Sequence, residues 1–265
     1  MMRAKTFSAV AAFSAALALS PAQAEEFASP PSKGTVSSAR LLSAGPMQAG
    51  AYRAGVEIDL APQTVTYWRQ PGEAGAPPAF DFSKSVNVAK VETAFPLPKH
   101  IEEAGTVVAA YDAKVIFPLK VTPQDPQKPV TLALALDYAA CGKICLPAKA
   151  NLALELPRAG ASPYAADIAA AQKRVPEKLD AAQAKKRLAV KKEGGALTWR
   201  LSYRGPGKAQ DLFAEAPDPL FIESKKDGAD FILTLFANGA RADKTDAVVT
   251  IVTDRGAFEA PLRLD

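Results

Sequence analysis

The sequence predicts a mainly β protein built as two successive sandwich-like domains, and three observations carry that prediction. Short runs alternate apolar and polar residues with a period of two, as a strand with one face on a core requires. Clusters of proline and glycine, such as Gln70-Pro71-Gly72 and Gly75-Ala76-Pro77-Pro78, cut the chain between these runs. The alternation then lapses between about residues 159 and 190 and resumes beyond them. Many short strands separated by turn residues are the pattern of a β-sandwich.

The first 24 residues stand apart. Arg3 and Lys5 precede an apolar, alanine-rich stretch from Phe7 to Leu19; Ser20-Pro21 breaks it, and Ala22-Gln23-Ala24 offers an A-x-A cleavage site. This is the layout of a bacterial secretory signal peptide, so export to the periplasm and a mature chain beginning near Glu25 are expected. The apolar run is too short to span a bilayer, and no later stretch approaches 18 unbroken apolar residues, so no membrane span is expected in the mature chain. Loss of Arg3 and Lys5 takes the formal net charge from +4 to +2. So small a charge argues for neither nucleic acid nor an anionic lipid surface as a partner.

The first β domain is expected over residues 25–158. Candidate strands run from Gly55 to Leu60, Thr64 to Trp68, Val86 to Val91, Val107 to Tyr111 and Lys114 to Val121. The clearest pair flanks the two cysteines. Val130, Leu132, Leu134, Leu136 and Tyr138 share one face of a strand, with Thr131, Ala133, Ala135 and Asp137 on the other. Further on, Leu152, Leu154 and Leu156 alternate with Asn151, Ala153 and Glu155. Two strands are implied, each with one face on the core, and a cysteine loop that connects or closely follows them at one end of the domain.

Residues 159–190 are expected to form a partly helical linker. Ser162-Pro163 suits an N-cap followed by proline at the first helical position, Tyr164 to Arg174 reads as a short alanine-rich helix, and Leu179 to Lys186 as a second helical stretch. The basic cluster Lys185-Lys186-Arg187 with Lys191-Lys192 is read as a solvated face. A second, smaller β domain follows over residues 191–265, with strands from Leu197 to Tyr203, Phe231 to Phe236, Ala247 to Thr253 and Ala257 to Leu264. It holds neither cysteine nor histidine, and nothing in it suggests catalysis.

Cys141 and Cys145 are the only cysteines, and three residues separate them. A five-residue ring stabilises a fold by only about 2 kcal/mol on the chain-entropy model, against nearly 5 for a hundred-residue loop. A structural staple would be badly placed here, whereas a redox pair would not. In an oxidising compartment two such thiols form a disulfide unless something reduces them. Exchange needs an accessible thiolate and a resolving thiol within reach. Lys143 and Lys149 are expected to favour the thiolate, Gly142 to allow the tight path and Pro147 to fix the exit.

Other chemistries are poorly served. His100 is the only histidine, and Met47 the only methionine beyond Met1 and Met2. Zinc wants four ligands and Cu(I) two or three soft ones, so no metal site is assigned and no cofactor is expected. A cysteine hydrolase would need a base held near its thiol, and a second cysteine at i+4 would oxidise the nucleophile. There is no Gly-x-Ser-x-Gly, phosphate loop or His-Glu-x-x-His. The Cys-x-x-Cys motif of thioredoxin-like βαβ proteins is matched in neither spacing nor context.

The stretch from Leu136 through Cys141-Gly142-Lys143-Ile144-Cys145-Leu146-Pro147-Ala148 resembles the active-site region of the amino-terminal periplasmic domain of the DsbD family of thiol:disulfide interchange proteins, in its ScsB-like branch. Tyr67-Trp68-Arg69-Gln70-Pro71-Gly72-Glu73-Ala74-Gly75, Pro77-Pro78-Ala79-Phe80-Asp81 and Val115-Ile116-Phe117-Pro118-Leu119 resemble the same branch. The likeness runs from about Tyr52 to Leu156 and more loosely onward. It implies an immunoglobulin-like domain that passes electrons from a thioredoxin-like or DsbD-type membrane donor to oxidised periplasmic proteins. The resemblance also implies that Cys145 forms the mixed disulfides and Cys141 resolves them. It implies a cap loop over the pair as well, with a counterpart in the Phe95-Pro96-Leu97-Pro98 region. The spacing departs from DsbD's own domain, which has more residues between its cysteines. Neither a membrane domain nor a carboxy-terminal thioredoxin domain is present, so separate proteins are expected to supply electrons. Two alternatives stay open: a copper-binding module linked to copper tolerance, and a partner-binding β protein with a structural disulfide.

Overall fold

The computed structural model describes residues 26–103, 105–194, 197–237 and 244–265; the leader read at residues 1–24 lies outside them. In chain order the first part carries β1 (Ser32–Lys33), β2 (Ser37–Ser43), β3 (Tyr52–Leu60), β4 (Thr66–Tyr67), β5 (Ala79–Asp81) and β6 (Val88–Thr93). They are followed by β7 (Lys99–Glu103), β8 (Thr106–Tyr111), β9 (Val115–Pro123), β10 (Thr131–Cys141) and β11 (Cys145–Glu155). These make a five-stranded sheet in the order β1-β2-β3-β9-β6, a three-stranded sheet β11-β10-β5 and a smaller sheet β4-β8-β7.

The two larger sheets close over one core. Leu41, Val56 and Phe117 come from one, and Leu132, Leu134, Leu136, Tyr138, Leu152 and Leu154 from the other. The period-two reading of β10 holds residue for residue, with Leu132, Leu134, Leu136 and Tyr138 buried and Asp137 exposed. Each leucine buried this way contributes about 1.5–3 kcal/mol, which fixes the register of β10 against slippage. A one-residue slip would turn the whole set to solvent.

The second part begins with α1 (Ala165–Lys173), β12 (Glu177–Lys178) and α2 (Ala181–Arg187). It continues with β13 (Leu188–Lys192), β14 (Thr198–Tyr203), β15 (Ala209–Glu215), β16 (Leu220–Asp227), β17 (Asp230–Ala237), β18 (Thr245–Thr253) and β19 (Gly256–Leu264). Two four-stranded sheets result, β12-β19-β18-β15 and β13-β14-β17-β16, around a separate core that includes Trp199, Leu201, Leu233, Val249 and Ile251.

The helical segment is more than a connector. Ile168 and Ala171 of α1 pack on Leu42 and Ile116 of the first part, and Leu179, Ala184 and Leu188 enter the second core. Alanine-rich helices can lie this close to a sheet because their side chains are small. Asp180 caps α2 in a reciprocal capping box with Gln183, while Lys185 and Lys186 remain exposed as read.

Candidate functional site

The cysteine loop connects two strands, and the cysteines themselves are the strand ends. β10 runs up to Cys141, β11 starts at Cys145, and the two residues are direct cross-strand partners joined by a disulfide. Only Gly142, Lys143 and Ile144 make the turn, which is closed by the Gly142 N–H donating to the Ile144 carbonyl at 3.1 Å. A side chain at position 142 would bring its Cβ to 3.2 Å from the Gln63 carbonyl oxygen, so the glycine is there for close approach.

A second strand locks Cys141 in place. Its N–H donates to the Val65 carbonyl at 2.9 Å, and the Val65 N–H donates to the Cys141 carbonyl at 2.8 Å. The buried Thr66 hydroxyl donates to the Ala139 carbonyl at 2.8 Å. Cys141 is consequently 2% exposed, packed with Tyr67, Val108, Ala110 and Ala139. Cys145, at the outer end of the same pair, is exposed.

The sheet β4-β8-β7 lies against the pair and supplies its polar surroundings. Alternation along β7 sends Ile101 into the cluster around Cys141, while His100 on the opposite face stacks on Phe213 with ring centres 4.2 Å apart. At the end of β7, one carboxylate oxygen of Glu103 is 3.6 Å from Cys145 Sγ. The other accepts from the Tyr67 hydroxyl at 2.7 Å, and that hydroxyl is itself 3.6 Å from Cys145 Sγ. Burial, together with the hydrogen bond to and charge of Glu103, pushes the Tyr67 phenol well above its ordinary range.

The electrostatics differ from the sequence expectation. Lys149 lies 3.1 Å from Asp137 in an exposed pair, and the charge against Cys145 is the Glu103 carboxylate. The two sulfurs and a Glu103 oxygen lie within 4.8 Å of one another. Such a set could offer thiolates to a soft metal only after the disulfide is reduced.

The motif from Tyr67 to Gly75 is explained by where each side chain goes. Tyr67 turns to the sulfurs, and Trp68 turns inward to meet Phe213 at 5.7 Å. Arg69 makes a bidentate pair with Glu215, at 2.6 Å on each arm, and also bonds Glu259. The Gln70 amide exchanges two hydrogen bonds with the backbone of Ala216, each 2.7 Å. Gly75, at φ 101°, lies over the Tyr67 ring, where a Cβ would come within 2.6 Å.

Residues 36–157 match the family model described as thiol:disulfide interchange protein DsbD, N-terminal. This segment belongs to the DsbD N-terminal family. In fold the chain is similar to the N-terminal periplasmic domain of ScsB from Proteus mirabilis, with a TM-score of 0.67 and 19% identity over 90% of this chain and 98% of that one. At that identity the likeness shows the fold, and it reaches past the DsbD match into the second part. An endo-fucoidan hydrolase of glycoside hydrolase family 107 aligns with a TM-score of 0.17 and 12% identity over 77% of this chain and 34% of its own, and carries no argument. No curated protein matches the chain in sequence.

The DsbD-type immunoglobulin-like fold with its cysteine pair is thus as the sequence implied. The cap expected at Phe95-Pro96-Leu97-Pro98 is placed differently. Phe95 packs edge-on to Phe80 and Phe117, the Pro96 carbonyl accepts from the Tyr111 hydroxyl, and the Leu97 N–H donates to Arg174. What lies against the sulfurs is Tyr67 and the end of β7. Sequence reasoning missed Tyr67 and Glu103 as site residues. The signal for Glu103 was an acid on the Ile101 face of a short alternating run that ends before Gly105.

Proposed function

We propose that this chain is a periplasmic thiol–disulfide exchange module. It takes electrons from a thioredoxin-like or DsbD-type membrane donor and delivers them to oxidised periplasmic proteins through Cys141 and Cys145. In this reading it is a component of a protein-disulfide reductase system, exported by a leader cleaved after Ala24. The similar domain of ScsB is periplasmic, which supports the compartment.

One observation carries the reading: the two sulfurs are unequal. Cys145 is exposed, while Cys141 is buried and held by backbone bonds to Val65. A donor thiolate attacks Cys145 Sγ, forming a mixed disulfide as the Cys141–Cys145 bond breaks and Cys141 leaves as thiolate. The donor's second thiol then releases Cys145, and the donor is oxidised as the pair is reduced. In the delivering direction Cys145 attacks a substrate disulfide and Cys141 resolves the intermediate.

Trapping tests this assignment. Cys141→Ala leaves Cys145 without its resolving thiol and is expected to accumulate a mixed disulfide with a thioredoxin-like partner, whereas Cys145→Ala accumulates little. Stronger trapping by Cys145→Ala reverses the roles, and no trapping by either variant removes the relay reading.

A further inference from the structure

The turn that closes the disulfide carries a large apolar side chain into solvent. Ile144 is 69% exposed, more than any other large apolar side chain among the described residues, and the next residue is the exposed Cys145. A lone exposed isoleucine ordinarily means nothing. This one differs in being fixed to a reactive group. The disulfide and the hydrogen bond from Gly142 to the Ile144 carbonyl hold it inside a closed ring, so its position relative to Cys145 Sγ is set before any partner arrives. Tyr67 and Glu103 already sit against that sulfur, and Cys141 lies behind it in the sheet. A protein partner that brings a thiol to the exposed Cys145 also meets the adjoining turn that carries Ile144.

We propose that Ile144 is the docking anchor for protein partners, and that the partners it fits are folded proteins whose reactive cysteine sits in an apolar surface patch. A preorganised apolar group next to the reacting atom stabilises the encounter at little ordering cost. A small thiol has no surface to place on it. The inference rests on the exchange reading and adds the means of selecting a partner.

The test compares two reductants on the full mature chain. Reduced thioredoxin and dithiothreitol each give two electrons, becoming disulfides as Cys141 and Cys145 become thiols. Ile144→Ser is expected to slow reduction by thioredoxin about tenfold, leave reduction by dithiothreitol within about twofold, and be rescued by Ile144→Leu. An unchanged thioredoxin rate overturns the proposal. So does a loss shared equally by dithiothreitol, which would place the role of Ile144 in the ring itself. A wild-type pair that thioredoxin reduces no faster than dithiothreitol also overturns it. If neither reagent reduces the wild-type pair, the exchange reading falls as well.

Discussion

Glu103 and Cys145 lie 42 residues apart in the chain, yet the carboxylate oxygen of one is 3.6 Å from the sulfur of the other. While the disulfide is intact the sulfur is neutral and the contact costs little. After reduction the same carboxylate faces a group that must ionise to react. Two like charges about 4 Å apart repel by about 4 kcal/mol at an effective dielectric constant of 20, and by about 1 in bulk water. Cys145 is exposed, so the smaller figure is the better guide. A protonated Cys145 thiol can donate to Glu103 at this distance, whereas a thiolate faces its charge.

Glu103→Gln is therefore expected to speed alkylation of the reduced Cys145 several-fold at neutral pH. The sign follows from the charge: the carboxylate penalises the thiolate, and the neutral amide does not. The pH dependence of alkylation of Cys145 in a Cys141→Ala background reads this directly, and the glutamine variant should react faster at neutral pH. Superimposable profiles would show that Glu103 does not govern the sulfur.

Gly75 is the second point of leverage. Its φ of 101° and its approach to the Tyr67 ring leave no room for a methyl group. Gly75→Ala should cost at least about 1 kcal/mol and displace the tyrosine from Glu103. Tyr67→Phe keeps the ring and removes only the hydroxyl, for a loss of about 1 kcal/mol. Urea denaturation of both variants measures these losses. A Gly75→Ala protein as stable as wild type would mean that the ring is not held where it is seen.

The sequence carried the parts of this fold that depend on period and composition. Alternation in β10 and β11 was readable because each has one face on a core. The early strand β2 and the second-part strands β15 and β16 were not identified from pattern. In β16 only Ile222 is buried, with Ser224, Lys225 and Lys226 turned toward solvent or the β15 backbone, so its apolar signal is weak. The cysteine pair was legible as a site because two thiols three residues apart are informative by themselves. Tyr67 and Glu103 were not, since their relation to Cys145 is made by pairing β4 and β7 onto β8, a long-range event that no local window contains.

The leader and the disulfide make a joint prediction. Protein recovered from the periplasm should have a mass consistent with a start near Glu25 and should take up no alkylating reagent until reduced, then two equivalents. Two reactive thiols in the untreated mature protein would contradict the expected oxidised state, and an intact leader would contradict export by cleavage.

Arg69 bonds the first β part to the second through two carboxylates, Glu215 and Glu259, and its guanidinium carbon lies 4.4 Å over the Trp68 ring. All three ionic groups are largely buried, so removing the cation leaves two acids facing each other with Lys178, 3.6 Å from Glu259, as partial compensation. Arg69→Ala is expected to cost about 1–3 kcal/mol, and the loss should fall on the junction between the parts. Limited trypsin digestion separates this from a general loss of stability. In the native chain the first cuts are expected within residues 159–190, leaving two protected fragments that contain the proposed domains at 25–158 and 191–265. Arg69→Ala should speed those cuts several-fold without opening new ones, because each part keeps its own core. Early cleavage inside residues 60–150 would show that the boundaries are misplaced, and an unchanged digestion rate would show that the junction is held by Trp68, Phe213 and the Gln70 amide pair without the arginine.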